Sequence, residues 1–212
     1  MRWLSVVFLL ACRPISSMPP PTSVGEGYEW GGNVSTGAQL IQDPTFEEEP
    51  IEPVVGIEGW AMVDWKVDFA LLTYIDSRQG SNIDLYAGGG GLLRIPFYAK
   101  ENGFIGMDLS GGWLWGAFGI PFSYQIKDGF WVYTNPGACI DIDPVGFELL
   151  EPRLPIGFAW NQPSGNSLYG EISLYSSGYF DVPTLSDISY LEHHLSGVYL
   201  SIGYAKRRSF HK

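Results

Sequence analysis

Nowhere in the 212 residues is there a run of the 18 or so apolar residues that a membrane-crossing helix requires. A helical membrane protein is excluded on that ground. Basic residues are also scarce: 12 Lys and Arg stand against 23 Asp and Glu, for a net charge of −11. Phosphate binding needs clustered Lys and Arg, so a nucleic-acid partner is excluded too. Cysteine is nearly missing, with Cys12 and Cys139 the only two. No segment sustains a helical period between recognisable caps. What the chain has instead is 15% aromatic residues and 27 glycines. Glycine costs roughly 1 kcal/mol against alanine inside a helix, whereas aromatic and β-branched residues suit a pleated surface.

At the N-terminus, Met1-Arg2 is followed by a short apolar run from Trp3 to Ala11, broken only by Ser5, and then Leu9-Leu10-Ala11-Cys12. This resembles a bacterial lipoprotein signal, which implies removal of 1–11 and lipid attachment to Cys12. Arg13-Pro14 and the stretch Ser16-Ser17-Met18-Pro19-Pro20-Pro21 have the composition of a flexible tether, here assigned to 12–25. With Cys12 carrying lipid, Cys139 has no partner for a disulfide. A catalytic Cys139 would want a nearby base, and Asn135-Pro136-Gly137-Ala138 and Ile140-Asp141 offer none.

From Gly27 on, alternation with period two recurs. Tyr28, Trp30, Val34, Ala38 and Leu40 oppose Glu29, Asn33, Ser35 and Gln39. Val55, Ile57, Ala61 and Val63 oppose Glu58, Trp60 and Met62. Val198, Leu200, Ile202 and Tyr204 oppose Tyr199, Ser201 and Gly203. A weak repeat runs through Ile95-Pro96-Phe97, Ile120-Pro121-Phe122 and Leu154-Pro155-Ile156, each followed by a turn with Asn102-Gly103, Asp128-Gly129 or Gly165-Asn166. Such dipeptides supply tight hairpins. Strands are therefore expected near 26–40, 54–63, 67–75, 83–99, 103–111, 113–126, 129–134, 152–161, 167–176 and 194–205, with 206–212 a C-terminal tail.

Ten strands joined by short turns at one end and long loops, 41–53 and 135–151 among them, at the other resemble the small bacterial outer-membrane β-barrels. The expected fold class is all-β: an up-and-down antiparallel membrane-type barrel over 26–205, of ten strands or eight. Lys66, Lys100, Lys127, Lys206 and Lys212 all sort to the short-turn end. Asp43, Glu47 to Glu49, Glu52, Asp141, Asp143, Glu148, Glu151, Asp181, Asp187 and Glu192 sort to the loops. Both termini are expected on the periplasmic side of the outer membrane. Trp60, Trp65, Trp113, Trp115, Trp131 and Trp160 fall near strand ends, as an interfacial girdle would.

A narrow lumen is filled by side chains, and buried charges need partners. Glu58, Asp84, Arg94, Asp108 and Glu171 are the expected lumen network, with Arg94 bridging Asp84, Glu58 or Asp108. His193-His194-Leu195-Ser196 beside Glu192 resembles the His-x-Ser pattern of outer-membrane lipid A deacylases. Gly197 stands where that pattern has Asn, and no acid follows to orient the histidine. No cofactor or metal is expected, and the expected partner is outer-membrane lipid. The leading reading is a non-enzymatic lipid-anchored barrel serving surface contact or envelope integrity. A lipid-modifying enzyme, or a soluble lipid-anchored lipocalin-like binding barrel, are its alternatives.

Overall fold

The computed structural model describes residues 16, 20, 21, 26–40, 51–77, 86–112, 115–142, 148–180 and 194–210. They form twelve strand segments: β1 (Gly27–Leu40), β2 (Ile51–Asp64), β3 (Asp68–Asp76), β4 (Tyr86–Lys100), β5 (Gly103–Gly112), β6 (Trp115–Gly119), β7 (Phe122–Lys127), β8 (Phe130–Thr134), β9 (Gly137–Ile142), β10 (Glu148–Asn161), β11 (Asn166–Phe180) and β12 (His194–Ser209). β6 and β7 make one stave broken at Ile120-Pro121, and both pair with β5. β8 and β9 make another, broken at Asn135-Pro136, and both pair with β10. The result is a closed antiparallel up-and-down barrel of ten staves, sealed where β1 pairs with β12. No described residue is helical.

Closure leaves no free sheet edge, which is how such a sheet avoids pairing with other chains. The register climbs round the wall. Asp68 faces Arg94, which faces Asp108, then Gly119, Gly137, Arg153, Tyr175 and Gly197. Gly197 faces Gln39, near the far end of β1. The staves are therefore tilted, by roughly 35–45° as barrel closure requires.

At one end the turns are short, spanning 65–67, 101–102, 128–129 and 162–165. Gly129 and Gly165 sit there with φ of 75° and 80°, a backbone region that glycine enters without cost. Gly27 and Ser209, the outer limits of the barrel, pair at this same end. The connections at the other end, 41–50, 78–85, 113–114, 143–147 and 181–193, lie outside the described residues.

The expected ten strands are thus found, with three corrections. Residues 135–151 are not one long loop. β9 and β10 extend into them, because Pro136 interrupts the stave without ending it. Asp141 and Glu148 consequently lie on strands, as does Glu52, and Glu151 is buried. The expected tail is not separate either, since β12 runs on to Ser209.

Two prolines inside strands, Pro96 and Pro155, and two at stave breaks, Pro121 and Pro136, fall along one seam. Pro96 faces Gly106 beside a register shift. The Gly106 N–H donates to the Pro121 carbonyl at 3.0 Å, and the Ile120 N–H to the Pro136 carbonyl at 2.9 Å. The Thr134 hydroxyl donates to the Pro155 carbonyl at 2.6 Å. A proline cannot donate to a ladder. Here the missing donors gather where the neighbouring staves are themselves broken or bulged, which is how the wall tolerates them.

The apolar parity points outward. Val34, Ile57, Leu71, Ile172 and Ile202 are each about half exposed or more. Among residues whose exposure is described, exposed charges occur only at the short-turn end: Glu26, Lys66, Lys100, Glu101, Lys127, Asp128 and Arg208. Trp65, Trp160, Tyr28, Tyr98, Tyr124 and Phe210 surround that end on the outside.

Candidate functional site

The inward parity fills the lumen, and it does so with two chemistries. Trp60, Met62, Ala70, Leu72, Tyr74, Leu92, Trp115, Trp131, Tyr133, Ala159, Tyr169 and Ala205 form one buried cluster that reaches from β2 round to β12. The Trp60 and Tyr169 rings meet with centroids 5.6 Å apart, and Tyr74 and Trp115 with centroids 6.4 Å apart. Trp60, Trp115 and Trp131 were expected in an outer girdle. They are core residues instead, because each lies on the inward parity of its stave. Trp65 and Trp160 do face outward, and Trp113 lies outside the described residues.

Five of the six large rings have space because a cross-strand neighbour has no side chain. Gly31 faces Trp60, Gly88 faces Tyr74, Gly112 faces Trp115, Gly157 faces Tyr133, and Gly203 faces Tyr169. A Cβ at Gly203 would stand 2.2 Å from Tyr169 ring atoms, and one at Gly157 2.2 Å from Tyr133. Gly203→Val is therefore expected to cost about 1–3 kcal/mol by overpacking, read as a lower urea midpoint for unfolding. A midpoint equal to the parent's would show that Tyr169 has another place to go.

The polar part of the lumen is built on Arg94, on β4. Its Nε donates to Asp108 Oδ1 at 2.8 Å and its Nη2 to Asp108 Oδ2 at 2.9 Å, with both side chains buried. This two-pronged geometry follows from register, since Arg94 and Asp108 are direct cross-strand partners on one face. Asn135 Nδ2 adds a bond to Asp108 Oδ2 at 2.9 Å, and the Phe104 ring lies 5.9 Å from the guanidinium carbon. On β2, Glu58 accepts from Asn33 Nδ2 at 2.9 Å. Ser35 donates to Asn33 Oδ1 at 3.0 Å, and its hydroxyl is hydrogen-bonded to that of Ser201 at 2.7 Å. Glu171 accepts from Ser173 at 2.6 Å. At the short-turn rim, Arg207 Nη2 meets Asp64 Oδ2 at 2.5 Å.

Of the five expected lumen residues, Glu58, Arg94, Asp108 and Glu171 are all inward and buried. Arg94 pairs with Asp108, Glu58 accepts from Asn33, and Glu171 accepts from Ser173. Asp84 and the expected lipid site Cys12 lie outside the described residues, as do Glu192 and His193. His194 and Ser196 lie at the start of β12, and their side chains are outside the described set. Asn33, Ser35 and Ser201 had the right parity to be found. Asn135 did not, because Thr134-Asn135-Pro136-Gly137 reads locally as a turn.

One member of the polar lumen comes from the expected tether. Ser16 is 2% exposed and bonds to Glu58 and Asn33, and Pro20 and Pro21 are buried. A space of about 10 Å3, room for roughly one water, separates Ser16 from Asp108, Asn135, Cys139 and Arg153. Among the described residues, no three His, Cys, Asp or Glu are grouped to hold a metal ion. Cys139 is buried and carries no disulfide. No protein-family model matches the sequence, and a search of curated proteins finds none that matches.

Proposed function

We propose that the protein is an integral outer-membrane β-barrel of non-enzymatic role, with its apolar outer face against lipid and its loops serving surface contact or envelope integrity. The observation that carries this is the outward face of the staves. Among the residues whose exposure is described, it is apolar through the strand interiors, and its exposed charges lie at the short-turn rim. A water-soluble barrel places its apolar parity inward and its charges outward. Here the ion pair and the buried carboxylates are inside, and Ile57, Leu71 and Ile202 are outside. Lipid is the surroundings in which that inversion lowers the free energy. The aromatics around the short-turn end suit a headgroup interface, and in this reading that end is periplasmic.

The lumen supports a closed body over a pore. The aromatic cluster bridges the staves, and the polar groups bond to one another. The reading predicts that the folded chain leaves membranes only with detergent, and that unboiled samples migrate faster on a denaturing gel than boiled ones. Release by salt or carbonate, with no heat-dependent shift, would make it a soluble barrel.

A further inference from the structure

We propose that Glu58 and Asn33 form a built-in seat inside the barrel whose occupant is the chain's own Ser16. The seat is specific in its chemistry. The Ser16 hydroxyl donates to Glu58 Oε2 at 2.5 Å, and the Ser16 backbone N–H lies 3.2 Å from Oε2 and 3.3 Å from Oε1. Asn33 Nδ2 donates to the Ser16 oxygen at 2.7 Å while also holding Glu58 at 2.9 Å. One carboxylate thus receives a hydroxyl and a main-chain N–H from the same residue. Charge-assisted bonds of this kind are the stronger ones. Glu58, Asn33 and Ser16 are 2%, 4% and 2% exposed, so solvent competes little for them.

Two further observations support the seat. Pro20 and Pro21 are also buried. Ser16 also borders the small space lined by Asp108 and Asn135, which lie on other staves, so it stands between the two polar groups. Proline fits such a place, since it brings no backbone N–H that would need a partner.

Chain length then bears on anchoring. Glu58 is six residues from Asp64 at the short-turn end of β2, or roughly 15 Å along the axis of a tilted stave. Cys12 is four residues from Ser16, a reach of about 14 Å at full extension. With Ser16 seated, the two lengths are nearly equal, so an extended 12–16 stretch would bring Cys12 no further than about the short-turn rim.

The test uses the full chain with Cys12→Ser and Cys139→Ala, and Pro21→Cys as the one thiol. Folded, it should react with a water-soluble maleimide at least 100-fold more slowly than when unfolded in urea. Glu58→Gln, or separately Ser16→Val, should raise the folded rate at least tenfold while the heat-dependent gel shift persists. Labelling of the folded parent within tenfold of the unfolded rate, with that shift intact, would overturn the proposal. So would a rate unmoved by both substitutions. Protection retained in a protein that shows no gel shift would uphold the seat and remove only the membrane reading.

Discussion

Ile202→Arg is expected to destabilise the barrel by about 2–4 kcal/mol in a lipid bilayer, the penalty for a basic residue near the midplane of a barrel's outer face. Ile202 is 67% exposed on β12, between inward Ser201 and Gly203 and opposite Val34 and Gly170. Neither neighbour offers a counter-charge. A control nearer the short-turn end, Tyr204→Arg, should cost about 0–1 kcal/mol, because the penalty falls toward the interface. Exposed substitutions on a protein surrounded by water lie within about 0.5 kcal/mol of neutral. The depth dependence therefore separates lipid from water more sharply than either value alone. Urea titrations in liposomes, followed by tryptophan fluorescence, measure both. Equal and small costs at 202 and 204 would remove lipid from around the barrel.

How far this architecture was legible beforehand follows from which interactions are local. Parity is local, and it assigned Glu58, Asp108 and Glu171 to one face of their staves and Val34, Ile57 and Ile202 to the other. The hairpin turns are local as well, since Asp128-Gly129 and Gly165-Asn166 declare themselves in two residues. Asn135-Pro136 misled because a proline that breaks a ladder for one residue reads the same as one that ends a strand. The difference lies on the neighbouring staves, where Pro121 and Pro155 fall along the same seam. The tryptophans misled for another reason. Nearness to a strand end was read as a girdle, although parity already set Trp60 opposite Ile57 and Ala61.

Pairings between distant residues were the hardest to see. Arg94 had three candidate partners in the sequence, and the register of β4 against β5 pairs it with Asp108, while Asp84 lies outside the described residues. Ser16 had none, because its partner lies 42 residues on and its own neighbours have the composition of a linker. The glycines show the opposite case. Their mid-strand positions are plain in the sequence, and the register supplies the rings they make room for: Tyr74 at Gly88, Tyr133 at Gly157, Tyr169 at Gly203.

The Arg94–Asp108 pair is expected to be the most costly polar contact to break from one side. Arg94 is 1% exposed and, among the described residues, is the one Arg or Lys that is buried, whereas Glu29, Glu58, Asp64, Asp68, Asp108 and Glu171 are buried carboxylates. Asp68 and Asp64 also act on it electrostatically. Arg94→Ala removes a counter-charge for several acids at once and leaves Asp108 the Asn135 amide as donor. Loss of one partner from a buried ion pair costs about 3–5 kcal/mol, so the barrel should lose that much in urea. Asp108→Asn should cost less, about 1–3 kcal/mol, because the guanidinium keeps the field of Asp68 and Asp64 and an amide oxygen still accepts from it. The double substitution should then be milder than the sum of the two, since the residues touch and their effects couple. A double-substitution cycle with no coupling would mean that the 2.8 Å and 2.9 Å bonds contribute nothing to holding the lumen. A larger loss from Asp108→Asn than from Arg94→Ala would mean that the carboxylate, and not the cation, is the group the surrounding charges depend on.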